Sequence, residues 1–228
     1  MLRNSKHPNG GSSTRRLNEP VLRPSLETEG EDLIWERFKA GSETALTYIY
    51  RNYSNQLFNY GIQFTPDRGL LKDCIQDLFE ELIKRRERLS STTSIKFYLM
   101  KAFRNRLVKA LLKNKRRQES EKISLDEGFQ VAVSAEVRLI NGQLDEAKKK
   151  LLSQKLNQLP PLQREALILY FYEGLKYRQV AEMLGIKTKS SRELVYRAIK
   201  SLEELITPHK DRITLFAIAV LVMKSLTG

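Results

Sequence analysis

The sequence predicts an all-α protein of two helical domains joined by a flexible linker. Its apolar residues recur at steps of three and four, and no segment of useful length alternates as a β-strand does. This periodicity fades near residue 114, in a stretch rich in Ser, Glu, Asp and Gly, and it resumes near residue 143. We therefore expect a first helical domain at residues 31–113, a linker at residues 114–142 and a second helical domain at residues 143–206.

The first domain carries signals for four helices. Residues 1–30 hold three prolines and few large apolar side chains, so we expect a disordered arm before it. Two amphipathic helices follow, with Ser42 as the N-cap of the second. Asp67 lies at the start of a third helix, whose buried stripe includes Cys74, and a fourth is expected at residues 95–114.

The positive charge of the chain is concentrated in one segment. The net charge is +13, and residues 84–118 hold 13 Lys or Arg against one acidic residue. Basic fields attract nucleic acid or anionic membrane surfaces. On the fourth helix, basic residues at three- and four-residue steps form a ridge that suits a phosphate backbone. The members of this ridge are Arg106, Lys109, Lys113, Arg116 and Arg117.

Two aromatic residues, Phe97 and Tyr98, lie just before the basic ridge. Single-stranded bases stack on aromatic rings beside a basic groove without sequence preference. The alternative interpretation, that each ring belongs to the core, is about equally good. The acidic residues Asp73, Asp77, Glu80 and Glu81 lie upstream on the third helix, so the basic and acidic surfaces suit different partners.

The second domain contains the spacing of a helix-turn-helix. Helices are expected from Pro161, at residues 177–184 and at residues 190–206, with a small Ala181 at the helix crossing and Gly185 in the turn. Basic and polar residues lead the last helix, where their donors can reach phosphates and base edges in a major groove. An ordinary αα-hairpin is the alternative.

Catalytic and metal-binding patterns are scarce. Asp73 and Asp77 lie one helical turn apart, but no His, Gly-rich phosphate loop or nucleophile motif accompanies them. One Cys and two distant His cannot form a closed zinc site. We therefore expect no enzyme activity, no catalytic residue, no metal and no cofactor.

The sequence also predicts a cytoplasmic protein without stable membrane insertion. No apolar run follows the first residues, so no signal peptide is expected. The longest apolar stretch, residues 213–223, has 11 residues, whereas a bilayer span needs about 20. We expect an apolar C-terminal helix at residues 207–228 that packs against the second domain. The alternative is a docking element for another protein or for the first domain in an autoinhibited state.

Four stretches together resemble the extracytoplasmic-function group of bacterial sigma-70 factors. They are residues 41–53, residues 73–83, residues 97–105, and residues 159–165 with the helix-turn-helix that follows. Each stretch is weak alone, but their order and spacing are specific. The resemblance implies a transcription initiation factor that binds core RNA polymerase and promoter DNA, with an anti-sigma factor as a further partner.

The resemblance implies three groups of site residues. Contacts to core polymerase are expected from Asp73, Gln76, Asp77, Phe79 and Glu80. Contacts to the minus-ten element are expected from Phe97, Tyr98, Lys101, Arg104, Asn105, Lys109 and Lys113. Contacts to the minus-35 element are expected from Lys187, Lys189, Ser190, Arg192 and Arg197.

A stand-alone helix-turn-helix regulator of duplex DNA is the main alternative function. In that case the first domain would act as a sensor or dimerisation module. The acidic helix followed by a basic helix with two aromatic residues favours the initiation factor. A protein that binds RNA or a membrane surface is a weaker option, because the basic ridge lacks the large apolar face of a surface helix.

Overall fold

The computed structural model of the chain describes residues 29–117 and 153–206. The predicted all-α fold class is confirmed, since every regular element in these two ranges is helical. In the N-terminal domain (residues 29–117) the elements are α1 (Glu31–Lys39), α2 (Glu43–Gly61), α3 (Arg68–Arg85), a 3-10 turn (Arg86–Arg88) and α4 (Ile95–Arg117). In the C-terminal domain (residues 153–206) they are α5 (Pro161–Leu167), a π-helical turn (Ile168–Tyr172), α6 (Tyr177–Leu184) and α7 (Thr188–Ile206).

Local capping determines where the helices of the N-terminal domain begin. The Ser42 hydroxyl accepts a hydrogen bond from the Ala45 amide at 3.3 Å, as its predicted N-cap role requires. Asp67 caps α3 in the same way, through the Leu70 amide at 3.0 Å. These caps satisfy amide donors that have no partner inside the helix.

One carboxylate joins three helices of the N-terminal domain. Glu31 of α1 accepts a 2.7 Å hydrogen bond from the first amide of α4, that of Ile95. It also accepts a 2.6 Å hydrogen bond from the Tyr53 hydroxyl of α2. A negative charge is favourable at a helix N-terminus. Burial, reinforced by the bond to Glu31, raises the pKa of Tyr53, so this hydroxyl remains a neutral donor.

The core of the N-terminal domain forms where α1, α2, α3 and α4 meet. Trp35 is fully buried, and its indole Nε1 donates to the Ser90 carbonyl at 2.9 Å. The helices approach closely at Gly61, where a Cβ would lie 2.6 Å from the Leu71 side chain and 3.0 Å from the Phe103 ring. Glycine suits this position because a larger residue would have to displace those two side chains.

The C-terminal domain is organised by a buried arginine that the sequence pattern did not single out. Arg164 of α5 is 5% exposed and donates to the carbonyls of Leu156, Asn157 and Leu159. Burial lowers the pKa of Arg164. The guanidinium therefore fixes the chain segment before α5, since each donor of a buried cation needs an acceptor.

The helix-turn-helix prediction agrees with α6 and α7. Gly185 adopts a left-handed conformation with φ of 69°, which glycine adopts without steric cost. Ser191 is fully buried, and its hydroxyl lies 2.8 Å from both the Tyr177 and the Thr188 carbonyl oxygens, which share its single proton. This contact joins the start of α7 to the start of α6.

Some predicted boundaries and faces differ from the structure. Helix α4 continues to Arg117, past the expected end at residue 114, because Lys and Arg are good helix formers. The π-helical turn was not predicted. Leu33 and Ile83 are 48% and 40% exposed, although the three- and four-residue apolar spacing predicts that both lie on the buried faces of their helices. The predictions for residues 1–28, for most of the linker and for residues 207–228 lie outside the described residues.

Candidate nucleic-acid and protein interfaces

The five polar residues predicted for the minus-ten element lie on α4 and divide into two groups. Asn105, Lys109 and Lys113 are exposed. Lys101 and Arg104 are partly covered, because both face the C-terminal domain. The structure therefore places all five on one helix but leaves only part of the set open to a ligand.

Phe97 and Tyr98, the two aromatic residues predicted to stack on bases, are both half-buried. Their exposure lies between that expected of a core residue and that expected of a surface residue. The Tyr98 ring packs against the buried indole of Trp35, with centroids 4.9 Å apart. Burial raises the pKa of the Tyr98 hydroxyl. Phe97 also packs against the core with part of its ring accessible.

One predicted member of the basic ridge, Arg106, does not contribute to it in the structure. Arg106 is turned towards α3, where it pairs with Glu81 and lies 3.5 Å from the Asp77 carboxylate. The acidic side chains of α3 attract it because the two helices pack side by side. The side chains of Arg116 and Arg117 lie outside the described residues.

Arg104 is held by a buried three-residue network between the two domains. Its guanidinium forms two hydrogen bonds with Glu165 of α5, at 2.6 and 3.0 Å. The Tyr60 hydroxyl donates to the same carboxylate at 2.7 Å. Burial alone would lower the pKa of Arg104, but the hydrogen bonds and charge of Glu165 outweigh it and raise that pKa. Burial and the charge of Glu165 raise the pKa of Tyr60 well above its usual range.

Two further ion pairs join α4 to the C-terminal domain. Lys101 pairs with Glu182 of α6, near the surface. Lys96 lies 3.0 Å from the carboxylate of Glu173, which follows the π-helical turn and is 3% exposed. Burial raises the pKa of Glu173, and the nearby Lys96 opposes that shift only in part.

Four of the five residues predicted to bind polymerase are exposed on α3. Asp73, Gln76, Asp77 and Glu80 all face solvent. Gln76 donates to Glu80 at 3.0 Å, and this bond, with the charge of Lys84, lowers the pKa of Glu80. Glu80 therefore stays anionic at neutral pH.

The fifth residue, Phe79, is 5% exposed and forms the floor of a groove between α2 and α3. The groove has a volume of about 820 Å³. Tyr50 lies along its wall with its ring centroid 4.9 Å from that of Phe79, and it is 49% exposed. The apolar spacing of the sequence predicts only that Tyr50 lies on the apolar face of α2. The sequence signal for the groove is the apolar stripe of α2, which is wider than packing against one helix requires.

The residues predicted for the minus-35 element lie at the exposed end of the helix-turn-helix. Lys187, Lys189 and Arg192 are exposed around the start of α7, and Ser190 is half-buried beside them. Arg197 lies further along α7 and is exposed, near Glu193 at 3.9 Å.

Tyr196 of α7 is 69% exposed, the largest exposure among the large apolar side chains described. It was not predicted as a site residue. Arg192 precedes Tyr196 by four residues on the same helix, and the Arg192 Cζ atom lies 5.5 Å from the centre of the Tyr177 ring. An aromatic ring and a guanidinium therefore share the surface that follows the turn.

The described ranges contain neither a cluster of metal ligands nor a membrane-spanning helix. In residues 29–117 and 153–206, no three His, Cys, Asp or Glu side chains are grouped to hold a metal ion. None of the helices there combines the length and apolar character that crossing a membrane requires.

Two family models match the two domains in order. The model described as Sigma-70 region 2 matches residues 35–117, and the model described as Sigma-70, region 4 matches residues 149–202. The N-terminal match ends with α4, and the C-terminal match includes the whole of α5 and α6.

Several curated proteins are similar to the chain over most of their length. The ECF RNA polymerase sigma factor SigM of Bacillus subtilis is 24% identical over 69% of this chain and 92% of its own. The RNA polymerase sigma factor CarQ of Myxococcus xanthus is 23% identical over 75% and 94%. The ECF RNA polymerase sigma-E factor of Haemophilus influenzae is 22% identical over 76% and 93%.

Solved structures show the same fold. The sigma factor RpoE of Bartonella quintana, in complex with the anti-sigma factor NepR, matches with a TM-score of 0.51 and 22% identity over 72% of this chain and 98% of its own. CnrH, in complex with the cytosolic domain of CnrY, matches with a TM-score of 0.53 and 15% identity over 80% and 100%. Two successive family regions and relatives matched along nearly their whole length agree on one assignment. The chain belongs to the sigma-70 family, in its extracytoplasmic-function group.

Proposed function

We propose that the chain is a transcription initiation factor that binds core RNA polymerase, directs it to specific promoters and helps to open the minus-ten element. The observation that carries this proposal is the succession of the two sigma-70 regions on the two helical domains. A stand-alone regulator would need only the helix-turn-helix, so it leaves the region 2 match unexplained. The initiation factor is therefore the favoured function.

The acidic row of α3 and the groove beside it are the proposed polymerase surface. Asp73, Asp77 and Glu80 would repel DNA, so their exposure suits a protein partner with basic side chains. The aromatic groove next to them, lined by Tyr50 and Phe79, supplies apolar area to the same contact. Charge would then set the orientation of docking, and the groove would slow dissociation.

The exposed side of α4 is the proposed minus-ten surface. Lys109 and Lys113 suit phosphates, and the half-buried rings of Phe97 and Tyr98 suit unpaired bases. Separating the strands costs about 1.4 kcal/mol of stacking per base-pair step. Capture of an extruded base on an aromatic ring returns about 1 to 3 kcal/mol. Captured bases can therefore offset the opening of a few steps, without covalent chemistry.

The start of α7 is the proposed minus-35 surface. Lys187, Lys189 and Arg192 are exposed there, and the buried hydroxyl of Ser191 fixes the helix on α6. A recognition helix contacts base edges through its N-terminal residues. The C-terminal domain would therefore read the duplex while the N-terminal domain holds the opened strand.

Further parts of the proposal concern partners and location. RpoE was solved in complex with the anti-sigma factor NepR, and CnrH in complex with the cytosolic domain of CnrY. These complexes support an anti-sigma factor as a partner here. The proposed role needs no enzyme activity, because binding energy alone opens the DNA. The proposed place of action is the cytoplasm, where bacterial core polymerase works.

The test is co-elution of the purified chain with bacterial core RNA polymerase, followed by run-off transcription on fragmented bacterial genomic DNA. We expect a stable complex and defined transcripts that core polymerase alone does not make. Absence of the complex, together with duplex DNA binding by the chain alone, would favour the stand-alone regulator.

A further inference from the structure

Three ion pairs join one side of α4 to the C-terminal domain. Lys96, Lys101 and Arg104 each face a carboxylate from a different part of that domain. The partners are Glu173 after the π-helical turn, Glu182 of α6 and Glu165 of α5. The contact therefore extends along about two turns of α4 and uses the C-terminal domain at three separate places.

The central pair is buried. The side chains of Arg104 and Glu165 are 13% and 5% exposed, and Tyr60 adds a hydrogen bond from α2. A buried charge without its partner is strongly unfavourable, whereas an exposed pair contributes little. The Arg104 network therefore determines whether the domains stay together, and the Lys101 pair near the surface adds less.

Two of these three cations are also expected contacts to promoter DNA. Lys101 and Arg104 belong to the predicted minus-ten residues, and carboxylates bind a guanidinium as phosphate oxygens do. A phosphate and Glu165 cannot occupy the Arg104 donors at the same time. The exposed polymerase residues on α3, such as Asp73 and Glu80, take no part in these pairs.

We infer that the carboxylates of Glu165, Glu173 and Glu182 form an autoinhibitory latch that holds the C-terminal domain over part of the predicted minus-ten site on α4, at Lys101 and Arg104. The inference rests on the proposed function, because it concerns access to that same DNA surface. In the latched chain the acids take the place of DNA phosphates, and the polymerase surface on α3 stays open. The free protein then binds single-stranded DNA weakly, and opening of the latch releases the site.

The test uses the full chain without polymerase. The variant Glu165→Gln/Glu182→Gln removes two latch charges and leaves every predicted DNA contact in place. The control, Glu87→Gln/Glu204→Gln, removes the same number of charges at two exposed positions, one in each domain. Binding of a fluorescein-labelled, mixed-sequence DNA single strand is measured by anisotropy, and the radius of gyration by small-angle X-ray scattering. Circular dichroism checks that each variant is folded.

We expect the latch variant to bind the single strand at least about fivefold more tightly than the wild type, which corresponds to a wild-type open fraction of about one fifth or less. Its radius of gyration should increase, while the control changes affinity by less than about twofold. If Glu165→Gln disturbs folding, Glu182→Gln alone should still give an increase of about twofold, because its pair lies near the surface.

The latch is refuted if the folded latch variant binds the single strand no more tightly than the control or keeps the wild-type radius of gyration. Co-elution with core polymerase, measured on the same samples, separates this failure from failure of the proposed function. Intact co-elution with unchanged DNA affinity overturns the latch alone. Tighter DNA binding without co-elution supports the latch and overturns the initiation factor.

Discussion

At the residue scale, Gly61 determines how closely α2 approaches α3 and α4. An added Cβ would meet the Leu71 side chain at 2.6 Å, so Gly61→Ala overpacks the core. We expect a loss of about 1 to 3 kcal/mol in the free energy of unfolding. Urea denaturation followed by circular dichroism measures it.

Gly69→Ala is the matched control for that substitution, because Gly69 also lies in a helix but near its exposed start. Its Cβ would lie 3.3 Å from the Asp67 carboxylate, with no other neighbour within 4 Å. The free energy of unfolding should stay within about 1 kcal/mol of the wild type. Equal losses for the two variants would contradict the close approach at Gly61.

Glu173 should make stability depend on pH. Burial raises its pKa above the ordinary 4.5, although Lys96 opposes the shift. Between the ordinary and the raised pKa the folded chain binds more protons than the unfolded chain, so stability falls as pH rises through that window. Glu173→Gln removes this fall. We therefore expect its melting temperature, relative to wild type, to increase as pH rises from about 4.5.

Lys96→Met is the companion variant for the pH measurement. It removes the charge that holds the pKa of Glu173 down, so the decline in melting temperature should extend to higher pH. A melting-temperature difference between Glu173→Gln and the wild type that is constant across pH would contradict the buried carboxylate.

Residues with local roles could be predicted, and residues with distant partners could not. Ser42 and Asp67 were expected at helix starts, because a cap contacts an amide three residues away. Arg104 was expected to contact DNA, but its partner Glu165 lies 61 residues along the chain. The periodicity of a sequence does not reveal contacts between residues so far apart. The Arg104 network therefore could not be predicted and is seen only in the structure.

At the element scale, a charge reversal at Asp77 tests the proposal that the acidic residues of α3 contact core polymerase. Asp77→Lys should weaken binding to core polymerase about tenfold, close to 1.4 kcal/mol, by reversing a charge at the proposed contact. The fold should persist, since the Asp77 side chain is 62% exposed and Arg106 keeps its pair with Glu81. Surface plasmon resonance with immobilised core polymerase measures the affinity.

Glu87→Lys provides the control for Asp77→Lys. It makes the same charge change at an exposed position in the 3-10 turn after α3, outside the groove lining. Its affinity for core polymerase should stay within about twofold of the wild type. Equal effects of the two variants would mean that net charge, and not the α3 surface, governs binding.

Arg192 of α7 tests the minus-35 surface. Arg192→Ala should cost the polymerase complex about 1 to 3 kcal/mol of promoter affinity, as expected for loss of a base or phosphate contact. Lys200→Ala, an exposed change further along α7, should have little effect. Filter binding to a duplex promoter fragment compares them, and a larger loss for Lys200→Ala would contradict the docking geometry.

Most helices could be predicted because caps, prolines and apolar periodicity agree. The predicted helix at residues 177–184 matches α6. The π-helical turn escaped prediction, because its apolar run Ile168–Tyr172 fits an α-helix equally well. Tyr50 was missed as part of a groove, since a helical pattern shows which face is apolar but not whether a neighbour covers it.

At the scale of the whole molecule, the proposed polymerase and promoter surfaces lie on different elements. The acidic row and groove belong to α2 and α3, the basic residues Lys109 and Lys113 to α4, and the recognition residues to α7. The concentration of charge in one sequence segment predicted this separation. The docking of the C-terminal domain on α4 could not be predicted, because it depends on carboxylates spread over α5, the π-helical turn and α6.

Opening of promoter DNA tests the proposed initiation role most directly. A promoter recovered by run-off transcription is treated with potassium permanganate, which oxidises unpaired thymines, in the presence of core polymerase and the chain. We expect reactive thymines within the minus-ten element, absent with core polymerase alone and reduced by Lys109→Ala/Lys113→Ala. Protection of that promoter by the chain alone, without any polymerase-dependent reactive thymine, would contradict an initiation factor.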